Sequence, residues 1–357
     1  IEHDSQGNRA KAYLYCLETR CPETGWMVPM APNWVISKTY NVVAKLFPNH
    51  VNKKFDIRIA TSVSPAEMRA AEQGTVRDGN LTYALDGKTY LIPIKTLRGD
   101  YRDPDGNTAN LLRRWEIQDF SPHPDNVFQE RLYCIQWITR ESLRTHRQIT
   151  FFAAPTDEDL ECEKKIQSIV ADKIAKWQEK GVLPDLQIEA GGPPRYQGKS
   201  LMTNLGWRYW HHLFNPRQLF LFALLHKYQS RKNYDGAIGD LASALNRSSR
   251  LSRWHSADKG REGPQDVFSN QALNGLFNYG ARAFISLESF AFLSPVSLDF
   301  TGRLAVENHA APEIREIADL FITDPPYADA VMYHEITDFF IAWLRKNPPP
   351  PFNGWTW

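Results

Sequence analysis

Asp324-Pro325-Pro326-Tyr327 brings together residue types suited to one piece of chemistry: activating an amine carried by an aromatic base. Such an amine is a poor nucleophile, because its lone pair is delocalised into the ring. A carboxylate at Asp324 accepts one of its N–H bonds and the carbonyl of Pro325 accepts another. Together they hold the nitrogen and favour the charge that builds as it attacks. Consecutive prolines fix φ, so the carbonyl is in place before the base arrives. Tyr327 offers an aromatic face to a base extruded from its duplex, a contact worth roughly 1–3 kcal/mol. The bland alternative is a Pro-Pro turn with an aromatic anchor. By ordinary residue usage, this tetrapeptide arises by chance in well under roughly 1% of chains of this length.

The flanking sequence supplies the elements that must position it. Ala318 to Thr323 reads as a short buried strand, and Ala330 to Lys346 as an amphipathic helix ended by Pro348 to Pro351. Strand, rigid loop and helix in that order put the tetrapeptide beyond the carboxyl end of a strand, where open α/β sheets bind ligands. Upstream, residues 1–155 are rich in strand signals such as Phe55 to Ile59 and Leu132 to Ile138, with Asp86-Gly87 as a hairpin turn. Pro155-Thr156-Asp157 opens a long helix to about Lys180, and Gly191-Gly192-Pro193-Pro194 reads as a linker. Asn215-Pro216 caps an apolar helix to about Tyr228, and a further helix is expected over Val267 to Phe290. The expected division is a β-rich lobe (1–155), a helix and Gly/Pro linker (156–194), a helical basic region (195–300) and a catalytic part (301–357).

The chain resembles the large adenine-specific DNA methylases that contain a zinc-ribbon region and are often encoded in anti-phage defence clusters. The likeness rests on Cys21-Pro22-Glu23-Thr24-Gly25-Trp26-Met27-Val28-Pro29, on His212-Leu213-Phe214-Asn215-Pro216-Arg217-Gln218-Leu219, and on Thr323 to Trp343. It implies an α/β fold, part of a Rossmann-like class I methyltransferase sheet, with S-adenosyl-L-methionine as cofactor. It also implies N6 of a flipped adenine in double-stranded DNA as target, direct methyl transfer, and defence-system or restriction-modification-like partners. The glycine-rich cofactor loop of the family is expected upstream of Ile1, since no Phe-x-Gly-x-Gly follows a strand here and both ends read as cut. The β-rich lobe then becomes the candidate for target recognition. Three alternatives stand beside this reading. One is N4 of cytosine, with Ser expected in place of Asp324. Another is RNA or a protein glutamine, with Asn expected there. The third is a non-catalytic DNA-binding subunit of a defence complex.

The resemblance also implies paired zinc knuckles of the Cys-Pro-x-Cys-Gly kind. Thr24 stands where the first would have its second cysteine, and Leu81-Thr82-Tyr83-Ala84 takes the place of the second. A structural zinc needs four ligands. Cys16 and Cys21 supply two, with Cys134 or His123 as additions; the competing reading is a ribbon that folds without metal. His211-His212, beside Trp207, Tyr209 and Trp210, read as a packed helix entry rather than a metal site. Gly87-Lys88-Thr89 lacks the first glycine of a phosphate loop and reads as a hairpin.

Net charge is +1, but residues 195–261 hold twelve Lys/Arg against three Asp/Glu, a local excess of nine. Such an excess interleaved with tryptophans reads as a phosphate-binding surface, with Arg217, Lys227, Arg231 and Lys232 as candidate DNA contacts. Four scattered cysteines argue against a secreted disulfide framework and for a reducing, cytoplasmic setting. The longest strongly apolar stretch, Leu219 to Leu225, is too short to span a membrane.

Overall fold

Arg9–Arg20 carries apolar side chains on both faces, the pattern of a strand covered on both sides. This strand, β1, is the centre of the fold. The structure, a computed structural model, describes residues 2–188, 204–229, 237–257, 262–269, 273, 275–291, 311–324 and 333–348. Strand β1 pairs antiparallel with β11 (Phe128–Ile138), from Arg9↔Ile138 to Thr19↔Phe128. Two strands sit end to end on its other edge. They are β2 (Met27–Met30) opposite Leu17 to Arg20 and β15 (Asn278–Arg282) opposite Ala12 to Cys16.

The sheet runs β12-β11-β1-β2-β5-β4-β3, where β3 is Val35–Ser37, β4 Val42–Asn49, β5 Lys54–Ala60 and β12 Thr150–Ala153. Its one parallel contact is Met27↔Lys54, between β2 and β5. A small sheet of β6 (Val76–Arg77), β7 (Asn80–Leu85) and β8 (Lys88–Pro93) packs beside it. Its β7–β8 hairpin turns at Asp86 (φ 52°) and Gly87 (φ 78°), the two positive φ values that a tight primed turn requires. Short two-stranded pairs are β9 (Tyr101–Arg102) with β10 (Thr108–Ala109), and β13 (Trp254–His255) with β14 (Gly263–Pro264).

Short helices α1 (Pro65–Ala71) and α2 (Ile94–Arg98) decorate the strands. The longer helices form a second layer. Helix α3 (Asp157–Glu179) starts at a capping box, Thr156 with Asp159, and buries Ile166, Val170, Ile174 and Gln178 at four-residue spacing. Helix α4 (Pro216–Gln229) is capped by Asn215, whose Oδ1 accepts from the Gln218 N–H while Gln218 Oε1 accepts from the Asn215 N–H, both at 2.9 Å. Helices α5 (Ala237–Arg247), α6 (Phe284–Ala291) and α7 (Tyr333–Leu344) complete the described layer. The fold is mixed α/β with a mixed sheet. No doubly wound parallel sheet occurs among the described residues.

Two expectations change. The helix expected over Val267 to Phe290 is instead a turn, strand β15 and α6. Tyr279 and Ala281 are drawn into the core on β1, and Gly280 faces Trp254 and Pro264 so closely that a Cβ there would lie 2.9 Å from each. Ala318 to Thr323 is also no strand: residues 312–324 lie outside any ladder with every side chain exposed, Ile322 at 87%. A strand is stabilised by its neighbours, and none of the described strands lies beside this segment.

Sheet and helices meet at Arg250, 2% exposed. Its guanidinium places all five N–H donors: Nε and Nη2 on Glu130 of β11, Nη1 on the carbonyls of His212 and Phe214, and Nη2 also on that of Phe120. Glu130 Oε1 accepts from the Tyr279 hydroxyl of β15 at 2.6 Å, and that oxygen in turn accepts from Asn215 Nδ2. Tyr279 stacks on Tyr15, whose hydroxyl donates to Glu163 of α3, and Glu163 binds Arg217 of α4. Arg250→Met is therefore expected to lower unfolding stability by about 3–5 kcal/mol in urea titrations, because it strands a buried carboxylate. Pairing it with Glu130→Met should recover part of that loss.

Candidate functional site

Asp324 is exposed at the end of the described segment, and Pro325, Pro326 and Tyr327 lie outside the described residues. What is described of the frame around the loop is the helix after it. Helix α7 buries Phe339, Ala342 and Trp343. Phe339 lies 5.7 Å and Trp343 5.0 Å from the ring of Phe214, and Trp343 also meets Phe222 of α4. Arg345, just past the helix, pairs with Asp185 at 3.0 Å, and Lys346 Nζ donates to the Gln178 carbonyl of α3. Thus the block at 212–219 and the one at 323–343, far apart in sequence, share one aromatic core.

The preceding turn holds His211 and His212, both fully buried. His212 Nδ1 accepts backbone N–H bonds from Arg208 and Tyr209, so its Nε2 carries the proton and donates to the Glu116 carbonyl at 3.0 Å. His211 Nε2 likewise reaches the Asp119 carbonyl, and its Nδ1 faces Gln178 Nε2. Every ring nitrogen is engaged, which leaves none for a metal. Burial holds His211 down at about 4 and His212 well below its ordinary value. The unfolded chain takes up these protons near pH 6.5. Their contribution to stability should therefore be level above that pH and fall as pH drops from about 6.5 towards about 4, partly offset by Glu262, whose carboxyl burial pushes up to about 7. Urea midpoints measured across that window check this, and His211→Gln should flatten the slope.

The segments Cys21 to Thr24 and Leu81 to Ala84 do meet. Tyr83 of β7 and Thr24 share a hydroxyl–hydroxyl hydrogen bond at 2.7 Å, and Cys21 packs in the same cluster as Tyr83. Burial pushes the Cys21 thiol up, but hydrogen bonding from Tyr83, Thr24 and the nearby backbone outweighs it and holds it below its ordinary value. The zinc that the resemblance implies does not fit these residues. Cys16 packs on the other side of the sheet with Leu14, Trp34 and Cys134, whereas Cys21 packs with Trp26, Phe55 and Tyr83. Burial raises the Cys16 and Cys134 thiols, and His123 is exposed beside Asp125. No cluster of three or more His, Cys, Asp or Glu suited to a metal occurs among the described residues. Thr24→Val with Tyr83→Phe should lower stability by about 1–3 kcal/mol. A chelator should leave the wild-type melting temperature unchanged, and a chelator-induced drop would restore a metal to the site.

The candidate DNA contacts separate. Arg217 is 4% exposed, bound to Glu163, with its guanidinium 3.8 Å from the centre of the Tyr13 ring, so it faces no phosphate. Part of the basic excess of 195–261 is matched the same way: among the described residues Arg208, Arg217, Arg247 and Arg250 pair with Glu116, Glu163, Asp266 and Glu130, all outside that stretch. Arg231 and Lys232 lie outside the described residues. Lys227 opens onto a cleft whose other wall is the end of α3. The lysines of that wall, Lys173, Lys176 and Lys180, escaped the sequence reading because acids elsewhere on α3 balance them.

Comparisons with protein-family models, curated proteins and solved structures found no match to the chain.

Proposed function

We propose that the chain carries the acceptor-amine loop and DNA-handling surface of an S-adenosylmethionine-dependent methyltransferase acting on N6 of adenine in DNA. The observation that carries this reading is Asp324-Pro325-Pro326-Tyr327, opening with an exposed carboxylate and followed by a helix sunk in the core. A loop that must admit a flipped base needs a free acceptor and a fixed support, and Asp324 and α7 offer both.

In this reading Asp324 and the Pro325 carbonyl hold the two N–H bonds of the adenine amine, while Tyr327 stacks on the ring. S-adenosylmethionine supplies the methyl group when bound. No described residue builds a cradle for it: Gly74 and Gly206, which approach backbone closely, abut Pro32 and Arg113 instead. The class I sheet and a place in a defence or restriction-modification-like system belong to the same proposal. The lack of a cradle among the described residues favours one second reading, a DNA-binding subunit without catalysis.

Nucleoside mass spectrometry of DNA incubated with the protein and S-adenosylmethionine separates the two. N6-methyladenine should form, and Asp324→Ala should abolish it with DNA affinity kept within a few-fold. Tyr327→Phe should keep most activity, whereas Tyr327→Ala should lose roughly 1–3 kcal/mol of stacking. DNA binding with no methylated base, and no change in 2-aminopurine fluorescence at the target position, would leave the subunit reading.

A further inference from the structure

We propose that the cleft between α3 and α4 is a track for the phosphate backbone of duplex DNA. The inference rests on the DNA reading above but not on methyl transfer. The cleft, of about 710 Å³, takes Lys173, Lys176 and Lys180 from α3 and Lys227 from α4, with Asp172 as its one acid and Trp177 in its wall.

Spacing comes first. Lys173, Lys176 and Lys180 follow one another at three and four residues, which puts them on one face of the helix. At 1.5 Å rise per residue the row is about 10 Å long. Along the duplex axis one strand advances 3.4 Å per nucleotide, so a row of this length lets its three long side chains reach successive phosphates.

Charge comes next. Both helices end at this cleft, and each C-terminus contributes roughly −0.5 of a charge. The three lysines of α3, set against Asp172 and the end of their own helix, leave roughly +1.5. Lysines that merely complement helix ends belong in the last turn, and Lys173 lies before it. Lys173 has only the exposed Asp172 as partner, at 3.0 Å, a pair worth about 0–1 kcal/mol and readily exchanged. Lys176 and Lys180 have no carboxylate within ion-pair distance among the described residues. Neighbouring unpaired ammonium groups repel one another, and a bound polyanion relieves that repulsion.

The occupant follows from what the cleft lacks. A track for single strands adds aromatic faces on which bases stack. Here Trp177 packs against the helical core, so point charges dominate, as they do in sequence-independent contact with a duplex backbone.

Fluorescence anisotropy with a labelled duplex and the full chain, without cofactor and from 50 to 200 mM salt, tests this. Lys173→Gln, Lys176→Gln and Lys180→Gln together should flatten the plot of log affinity against log salt by about 2.7, at 0.9 per phosphate, and weaken binding at least about tenfold. Lys227→Gln alone, on the opposite wall, should flatten it by about 0.9. Removing the same charge elsewhere, through Lys88→Gln, Lys164→Gln and Lys165→Gln, should leave the slope unchanged. Cleft variants that match this control would overturn the proposal while leaving the methyltransferase reading intact. Tighter binding of an RNA duplex of the same sequence would also overturn it. A wild-type chain that binds no DNA would sink both readings.

Discussion

The guanidinium of Arg250 is buried with all five of its donors occupied, and the fold is organised around that fact. A buried charge is tolerable only when it is paired and its hydrogen bonds are complete. Glu130 supplies the charge, and carbonyls from the turn before α4 supply much of the rest. One end of this pair is in the sheet and the other in the helical layer, so the two layers cannot shift without exposing an unpaired ion. The second pair, Arg217 with Glu163, joins the network through Tyr15 and Tyr279, and ties both α3 and α4 to β1 and β15. Geometry rather than net energy is the gain. A well-packed apolar core of the same volume matches or exceeds such pairs in stability, so what the pair adds is the requirement that Arg250 and Glu130 meet.

That orientation reaches the candidate loop by a short route. Phe214, whose carbonyl accepts from Arg250, presents its ring to Phe339 and Trp343 of α7. The neutral imidazoles of His211 and His212 fill the same turn with hydrogen bonds to the Glu116 and Asp119 carbonyls. The helix behind Asp324 is thereby fixed by the element that receives the buried arginine. Residues 312–324 stand apart, with Ile317, Leu320, Phe321 and Ile322 exposed. Apolar side chains at that density favour burial, so the segment has reason to seek a partner surface.

Features whose signal closes within a few residues were legible in the sequence. The helix starts at Pro155-Thr156-Asp157 and Asn215-Pro216 and the Asp86-Gly87 turn are each fixed by bonds or dihedrals inside four positions, and all three stand in the structure. Residues whose meaning depends on distant partners were not legible. Arg217 looked like a phosphate contact until Glu163, fifty-four positions away, claimed it. Asn278 to Arg282 had to be drawn into a ladder by β1 before it could be read as a strand. The cleft lysines were hidden for the same reason, since a helix with seven acids against four bases shows no basic excess until its faces are separated.

The meeting of Cys21, Thr24 and Tyr83 raises the question of what holds the β7–β8 hairpin to the main sheet. A structural zinc in a small ribbon contributes about 10–16 kcal/mol, far beyond a hydrogen-bonded cluster at about 1 kcal/mol per bond. The difference must come from apolar burial. Leu81, Tyr83, Leu85 and Ile92 pack with Trp26, Val28 and Phe55 in one cluster. At about 1.5–3 kcal/mol for each fully buried side chain, a handful of these reaches the same range. With the core supplying adhesion, the polar groups at the turn have a lesser duty, which is to leave no buried donor or acceptor without a partner. Thr24 and Tyr83 meet it by bonding to each other.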